Sequence, residues 1–254
     1  MAECKHILVT GSTGAIGREA CRELAARGHK VRGFARRPTR GVDDVRQGDL
    51  GDFDAVRDAV AGVDTVVHLG AFPEEADFLT KLLQPNIVGV YHICEAAREH
   101  GVRRLILASS GEVVFMHPWK NTRTVRVEDG VAPRGYYAAT KVFAEAVGQI
   151  CARNYGFSVI AVRLGWLPRT PEETARIVNT PQQQCNYLSP ADAGRFFAAA
   201  VESPNPGPSE FALVFATSKP RGHVPFDLEP ARKILGYEPQ DTWPDGAPYL
   251  NELS

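Results

Sequence analysis

Short β-forming runs alternate with helix-forming stretches along the first two thirds of this chain of 254 residues. The runs typical of buried strands are 6–10, 30–35, 64–69, 104–109 and 158–164, and the helical stretches between them are 15–27, 53–61, 86–100 and 137–155. A strand, a helix and a second strand in succession form a right-handed crossover between parallel strands. The alternation therefore predicts an α/β fold, a doubly wound parallel sheet with helices on both faces.

The composition excludes several classes of protein. The net charge of −1 provides no overall field that would favour nucleic acid or an anionic membrane. No apolar run reaches the ~18 residues of a membrane-spanning helix. The five cysteines include no CxxC pair, and the seven histidines show no metal-ligand spacing. We therefore expect reduced thiols, a cytoplasmic location and no metal site.

A glycine-rich turn connects the first strand to the first helix. Residues 10–17 read TGSTGAIG. Gly11 permits a tight turn, Gly14 lets the backbone approach a pyrophosphate, and Gly17 lets the helix pack close to the strand. The helix N-terminus then presents unbonded N–H groups and its positive dipole end to phosphate. We expect a Rossmann-type dinucleotide site here; a glycine-rich surface turn is the alternative.

The end of the second strand favours one nicotinamide cofactor over the other. An acid at this point accepts a hydrogen bond from the ribose 2′-OH of NAD, whereas arginines accommodate the 2′-phosphate of NADP. Ala35 stands near the acid's place, and Arg36 and Arg37 follow it. The pattern favours NADP over NAD; the alternative is that both arginines simply face solvent.

Tyr137 and Lys141 form the pattern YxxxK at the start of a long predicted helix. The i, i+4 spacing places both side chains on one face. A free tyrosine is a poor base at neutral pH, but a nearby ammonium favours the phenolate and lowers its pKa. Such a tyrosine can take a proton from a substrate hydroxyl as hydride leaves, or return it in reduction. Tyr136 has no lysine at the same spacing, so we expect it to pack or to line a loop.

The pattern changes after Gly165, where prolines become frequent and only one more β-forming run, 210–215, and one short helix, 229–235, stand out. Irregular segments on a rigid scaffold commonly carry specificity. We therefore expect residues 1–165 to form an NAD(P)-binding Rossmann domain. Residues 166–254 are expected to form a small substrate-binding region, interleaved with the main fold.

The glycine spacing resembles the TGxxGxxG pattern of the extended short-chain dehydrogenases/reductases, and other motifs extend the resemblance over nearly the whole chain. These motifs are NIVGVYHICEAA from Asn86, Arg163-Leu-Gly165, LSPAD at 188–192 and DLEPARKILGYEP at 227–239. On these residues the chain is identified as a member of the NAD-dependent epimerase/dehydratase-like extended branch. Its length and its ASS, YxxxK and tail segments look most like those of uronate dehydrogenases, which oxidise a sugar acid at C1 to a lactone.

The resemblance implies a site. Ser110 takes the place of the catalytic serine and Tyr137 and Lys141 complete the set, while Ser109 has the alternative of a backbone-bonded strand end. Asn86 is implied to order the polar network, although it could equally cap the helix that it opens. Asp49 and Leu50 are candidates for the adenine, with a helix-capping turn as the alternative for Asp49. The residues assigned to the cofactor are Gly11, Thr13, Gly14, Ala15, Ile16, Gly17, Arg36, Arg37, Asp49, Leu50, Leu69, Gly70, Ala71, Tyr137 and Lys141.

The substrate side departs from the uronate dehydrogenase pattern. Gly111 and Glu112 stand where that pattern has Asn and His, and Trp166 stands in place of a small serine. Arg176 could match the arginine that grips the carboxylate, within a predicted loop at 169–184. These differences favour a different, larger or more apolar substrate; Trp166 could equally belong to the core.

Three functions compete. The first is an NAD(P)-dependent oxidoreductase acting on a hydroxyl or carbonyl of a sugar-like or secondary-metabolite substrate. The second is a sugar epimerase or dehydratase that recycles a bound cofactor. The third is a sensor that binds NADP without turnover, against which the intact Ser110, Tyr137 and Lys141 set argues. The resemblance also implies a homodimer formed by the helix after Asn86 and the YxxxK helix.

Overall fold

The computed structural model describes residues 3–117 and 123–252. In this part of the chain, seven parallel strands form one sheet in the order β3-β2-β1-β4-β5-β6-β7. The strands are β1 (His6–Thr10), β2 (Lys30–Ala35), β3 (Asp44–Gln47), β4 (Thr65–His68), β5 (Arg104–Ser110), β6 (Ser158–Leu164) and β7 (Phe211–Ala216). The helices are α1 (Ala15–Ala26), α2 (Phe53–Val60), α3 (Gly89–Glu99), α4 (Tyr136–Tyr155), α5 (Pro171–Val178), α6 (Pro190–Glu202) and α7 (Glu229–Leu235). The doubly wound α/β fold predicted from the alternation is confirmed.

The sheet is buried on both faces because neighbouring strand residues point to opposite sides. Ile7 and Val9 of β1 enter the core under α1 and α6, whereas Leu8 enters the core under α2, α3 and α4. All three side chains are fully buried. This is why the strands read as continuous apolar runs and not as alternating ones.

Three elements differ from the sequence expectation. The edge strand β3 was not predicted, because its residues do not form a buried apolar run. The helix predicted from Asn86 begins at Phe78, since residues 78–88 form wide helical turns with π-type bonding that run directly into α3. Pro85 lies within these turns and has no N–H for a regular helical bond. The predicted loop 169–184 contains the helix α5. Thr170 caps the start of this helix, because its hydroxyl accepts a hydrogen bond from the Glu173 N–H.

The segment after Gly165 is woven into the sheet. It supplies β7, which pairs in parallel with β6 from Val159 to Leu164. It also supplies α6, which packs against α1 on the face of β1. None of the helices in the described part of the chain is both long and apolar enough to cross a membrane.

The order of the strands positions the site. β2 lies on one side of β1 and β4 on the other, so the chain leaves β1 in one direction and later returns to the opposite side. In such sheets a crevice opens at this reversal, outside the carboxyl ends of the strands. The glycine-rich turn follows β1 and Ser110 ends β5, so both lie at this edge.

Candidate active site

The glycine turn is as tight as the sequence predicts. Gly11 has a φ of +64°, and a Cβ there would lie 2.8 Å from the Cα of Gly70. A Cβ on Gly17 would lie 2.2 Å from the carbonyl oxygen of Gly11. Gly14 is the N-cap of α1 and offers no side chain to its N–H groups. The first turn of α1 therefore keeps donors available for an anionic ligand at the pocket.

A buried hydroxyl ties this turn to the segment after β4. The Thr10 Oγ1 accepts hydrogen bonds from the N–H groups of Leu69 and Gly70, at 3.1 and 3.0 Å. The same oxygen lies 2.8 Å from His68 Nδ1. Burial lowers the pKa of His68 to about 3, so this imidazole is neutral. The network fixes the segment 69–71 beside the glycine turn.

One cavity of about 1070 Å³ joins these parts. Almost all of the sequence-predicted site residues line it: Gly11, Thr13, Gly14, Ala15, Ile16, Gly17, Arg36, Arg37, Asp49, Leu50, Leu69, Gly70, Ala71, Ser110, Gly111, Glu112, Tyr137, Lys141, Trp166 and Arg176. The volume of the cavity fits a dinucleotide lying across the ends of the strands together with a small second ligand. The uncapped N-terminus of α1 faces the cavity wall formed by the glycine turn.

The adenosine end of the cavity carries Arg36, Arg37, Asp49 and Leu50. Both arginines are exposed and form no ion pair within the described residues. Asp49 accepts a hydrogen bond from the Gly51 N–H at 2.8 Å, while Asp52 is the residue that caps α2. The alternative of Asp49 as the cap of the next helix is therefore wrong.

Tyr137 and Ser110 meet in the cavity through their hydroxyl groups. Burial raises the pKa of Tyr137 to about 12, while a hydrogen bond from Ser110 acts in the opposite direction. The Ser110 Oγ also accepts a hydrogen bond from the Glu112 N–H at 3.2 Å. The phenol is thus protonated at neutral pH, and it can donate to an oxygen that also contacts Ser110.

The Lys141 side chain is buried below Tyr137. Its Nζ donates to the Ala108 carbonyl at 3.1 Å and lies 5.7 Å from the centre of the Tyr137 ring. Burial lowers the pKa of Lys141 to about 8. The expectation that this ammonium lowers the pKa of Tyr137 is not met, because burial raises that pKa and outweighs the opposing effects of Ser110 and Arg169.

Ser109 lies at the cavity wall, and its hydroxyl is bound within a buried network. Its hydroxyl donates to Glu145 Oε1 at 2.5 Å, and Arg163 forms two 2.9 Å bonds to the same carboxylate. All three side chains are buried. This network bonds β5 and β6 to α4 directly beneath Ser110, and the alternative of a merely backbone-bonded strand end for Ser109 is wrong.

Asn86 lies inside the helix and does not cap it. Its side chain accepts from the Phe72 N–H at 2.7 Å and donates to the Phe72 carbonyl and to Thr140 Oγ1, both at 3.0 Å. It does not line the cavity. Asn86 therefore connects the segment after β4 to α4 from outside the cavity, and the alternative of a helix cap is wrong.

The substrate side carries paired charges that the sequence did not reveal. Glu112 forms an ion pair with Arg134 at 2.9 Å, and this guanidinium covers the Phe115 ring at 4.6 Å. Gly111 has little free space, since a Cβ there would lie 3.3 Å from the Leu164 carbonyl oxygen. Sequence reasoning missed Arg134 because it is distant in sequence from Glu112 and belongs to no recognised motif.

The far wall is formed by residues after Gly165. Arg169 is held by Glu173, and Arg176 lies over the Trp166 ring at 5.7 Å. Arg176 has no ion pair within 4 Å in the described part of the chain. Trp166 lines the cavity, is partly buried, and also packs against the apolar cluster of Ile177, Tyr187 and Trp243, so both its site and its packing interpretations hold.

Glu75 is a further residue of the site that no sequence motif indicated. It lines the cavity from the segment after β4, and its carboxylate accepts hydrogen bonds from the first two N–H groups of α4. A glutamate in a loop of ordinary composition carries no sequence signal for such a contact, which depends on how the loop folds back.

Comparison with known proteins identifies relatives over almost the full length. Residues 7–167, more than half of the chain, match the NAD dependent epimerase/dehydratase family. The chain is 31% identical to L-arabinose 1-dehydrogenase (NAD(P)(+)) of Haloferax volcanii over 251 residues, covering 93% of this chain and 96% of that protein. It is 32% identical to uronate dehydrogenase of Pseudomonas syringae pv. tomato over 241 residues, with 93% and 82% covered.

A solved structure agrees with these relatives. A mutant uronate dehydrogenase from Agrobacterium tumefaciens, complexed with NAD, is 26% identical and superimposes with a TM-score of 0.78. The match covers 99% of this chain and 91% of that one. The resemblance inferred from the glycine turn and the YxxxK motif is thus confirmed over fold and sequence. The chain belongs to the NAD dependent epimerase/dehydratase family.

Proposed function

We propose that this chain transfers hydride between NAD(P) and a carbon that bears a hydroxyl or carbonyl group in a small sugar-like substrate, with Tyr137 as the general acid and base. The chain is an NAD(P)-dependent oxidoreductase of the extended short-chain type, as its family and its sugar dehydrogenase relatives indicate. The observation that carries the mechanism is the pairing of the Ser110 and Tyr137 hydroxyls in the cavity that the glycine turn also lines.

When bound, the nicotinamide supplies the hydride acceptor or donor. The chain's own residues manage the proton. The Ser110 hydroxyl and the Tyr137 oxygen hold the reacting oxygen of the substrate between them, and in oxidation Tyr137 accepts its proton as the phenolate and becomes the phenol. In reduction Tyr137 returns that proton. Buried Lys141 lies below the ring, where its ammonium stabilises the phenolate that forms in the reaction.

The charge of the cavity wall supports a particular substrate class. Arg134 and Arg169 form close ion pairs with Glu112 and Glu173, whereas Arg176 lies over the Trp166 ring and forms no ion pair within 4 Å among the described residues. A free guanidinium favours a substrate with a carboxylate, which it can bind through two parallel hydrogen bonds. The indole face of Trp166 offers an apolar surface for a sugar ring. We infer a sugar acid, with residues 166–254 as the substrate-binding region.

The cofactor preference and the setting of the enzyme are further proposals. Arg36 and Arg37, with no acid at Ala35, favour the 2′-phosphate of NADP. Five free thiols in the described part of the chain are compatible with a cytoplasmic location. The chain is also proposed to dimerise through α3 and α4, where several large apolar side chains are exposed.

The test is the absorbance of the nicotinamide while the purified protein is given NAD or NADP and matched pairs of an aldose and its uronic acid. We expect stoichiometric formation of reduced cofactor, and faster turnover of the acid. Tyr137→Phe should lower kcat by about 100-fold or more, the range of general acid–base catalysis. The affinity of the Tyr137→Phe variant for the cofactor, measured by fluorescence titration, should stay within a few-fold of that of wild type.

Other outcomes would select the competing functions. Product formation without net change in the nicotinamide absorbance would indicate an epimerase or dehydratase that recycles its cofactor. Cofactor binding without product, across alcohols, ketones and sugars, would favour a sensor. Full activity of Tyr137→Phe would contradict the proposed mechanism.

A further inference from the structure

The segment between β4 and the helix at Phe78 reaches the start of α4. Glu75 in this segment accepts a hydrogen bond from the Tyr136 N–H at Oε1 and another from the Tyr137 N–H at Oε2, both at 3.0 Å. One carboxylate therefore holds two successive backbone amides, and the second of these belongs to the tyrosine of the proposed mechanism.

These two amides have no partner within the helix. The first regular helical bond of α4 runs from the Ala139 N–H to the Gly135 carbonyl, so the N–H groups before it are left over. The N-cap is Gly135, which has no side chain to accept from them. A carboxylate at this place also interacts favourably with the positive end of the helix dipole. Glu75 thus replaces the local cap that α4 lacks.

Gly135 leaves the space that Glu75 occupies. A Cβ on Gly135 would lie 2.3 Å from Glu75 Oε2 and 2.7 Å from its Cδ, and the three nearest atoms all belong to Glu75. The backbone of Gly135 is extended, with a φ of −161°, which any residue adopts. An alanine at 135 would therefore first displace the end of one flexible side chain, that of Glu75.

We propose that Glu75 is a positioning residue that sets the place of Tyr137, and that Gly135 is required to admit it. Tyr137 is then held at both ends, by Glu75 at its backbone N–H and by Ser110 at its hydroxyl. The inference rests on the proposed function of Tyr137. Small displacements of a reacting group lower rates strongly, and about 1 Å can cost on the order of 100-fold.

The experiment compares Glu75→Ala, Gly135→Ala and the double variant, which remove the contact in two ways. We expect each to lower kcat by about 10-fold or more, with the KM for the cofactor within about 2-fold of wild type. The double variant should be no worse than Glu75→Ala, because Gly135→Ala acts only by displacing a carboxylate that is then absent. Asp52→Ala is the matched control: Asp52 caps α2, which contributes no residue to the cavity, so Tm should fall and kcat should not.

A readout that does not depend on activity keeps this inference separate from the proposed function. The readout is the fluorine NMR spectrum of protein labelled with 3-fluorotyrosine. The resonance of Tyr137 is assigned as the one missing from the spectrum of Tyr137→Phe. We expect it to shift in Glu75→Ala and in Gly135→Ala but not in Asp52→Ala, even if no substrate in the panel is turned over. An unchanged resonance, unchanged kcat, or additive effects of the two substitutions would overturn the positioning role.

Discussion

At the scale of single residues, burial decides how the proposed catalytic pair ionises. The i, i+4 spacing of Tyr137 and Lys141 places them together, but the enclosure of both groups raises the pKa of the phenol to about 12 and lowers that of the ammonium to about 8. Each group is pushed towards its neutral form, because hydration of the charged form is lost. The spacing of the pair therefore does not by itself make Tyr137 a strong base.

This burial makes Lys141 costly for stability. Since its pKa falls from 10.5 unfolded to about 8 folded, the unfolded chain binds more protons between these values and stability rises with pH there. Below about pH 8 the full penalty is present, on the order of 3 kcal/mol at about 1.4 kcal/mol per pKa unit. Lys141→Met should therefore be inactive yet raise the free energy of unfolding at pH 7 by about 1–3 kcal/mol, a gain that shrinks towards pH 10.

Urea unfolding at pH 7 and pH 10 measures this effect. Lys30→Met, at an exposed lysine, is the control and should change stability little at either pH. A Lys141→Met protein less stable than wild type at pH 7 would contradict the assignment of a desolvation penalty.

The two arginines after β2 allow a test of cofactor choice. Replacing Arg36 and Arg37 together by alanine should lower kcat/KM for NADP about 10–100-fold, because hydrogen bonds to a charged group contribute about 1.5–3 kcal/mol each. The value for NAD should change by less than about 3-fold. Steady-state kinetics with each cofactor measures both, and Arg40→Ala, which lies outside the cavity, is the control. Equal losses with the two cofactors would exclude a 2′-phosphate contact.

At the scale of elements, α4 carries the site and is bonded firmly to the sheet. Tyr137, Lys141 and Glu145 follow one another at four-residue intervals, so one face of α4 bears all three. The sequence motif ends at Lys141, but the structure extends it by one turn to Glu145, which binds Ser109 of β5 and Arg163 of β6. The buried ion pair thereby sets the register of the helix against the strand that ends in Ser110.

Removal of one partner from this ion pair should be far more damaging than removal of both. Glu145→Gln leaves the Arg163 guanidinium buried without a counter-charge and should cost about 3–5 kcal/mol of unfolding free energy. The double variant Glu145→Leu/Arg163→Met replaces the pair by apolar side chains and should be more stable than either Glu145→Gln or Arg163→Met. The free energies of unfolding of wild type, the two single variants and the double variant are compared by denaturant unfolding. A double variant destabilised by the sum of the two single destabilisations would contradict the prediction.

Element boundaries show where local reasoning fails. Six of the seven strands in the described sheet were predictable because their residues are largely apolar, whereas the polar edge strand β3 was not. The helical turns at Phe78–Val88 were not, since Pro85 lies inside them and proline usually marks the end of a helix. α5 was missed because it is short and preceded by prolines, although Thr170 and Pro171 form an ordinary helix start.

At the scale of the whole molecule, α3 and α4 leave an apolar surface uncovered. α4 runs in the same direction as α3 and the helical turns at Phe78–Val88 that precede it. Phe78 contacts Tyr136 at the start of this pair, and Arg98 covers Tyr155 at its end. Tyr91 is 55% exposed and Ile150 is 47% exposed along this pair. Exposed apolar patches on soluble proteins commonly mark interfaces, which supports the dimer that the resemblance implies.

Light scattering after size exclusion tests the dimer. The wild type should have twice the chain mass of 27.7 kDa. Ile150→Glu should shift it towards the monomer, because the interface would bury a charge without a partner. Val131→Glu is a control of matched exposure, 48%, outside the helix pair, and should remain dimeric. A monomeric wild type would contradict the proposed assembly.

The sequence by itself determined the parallel sheet, the glycine turn and the Ser110, Tyr137 and Lys141 set, because each depends on local pattern: apolar runs, glycine spacing and a four-residue helical interval. Only the tertiary structure decided the contacts that join distant segments. Glu75 at the start of α4, Glu145 with Arg163, and Arg134 with Glu112 all join residues far apart along the chain, so no local pattern announces them. The tertiary structure also decided the ionisation of Tyr137 and Lys141, because the pKa of a group depends on how much water the completed fold leaves around it.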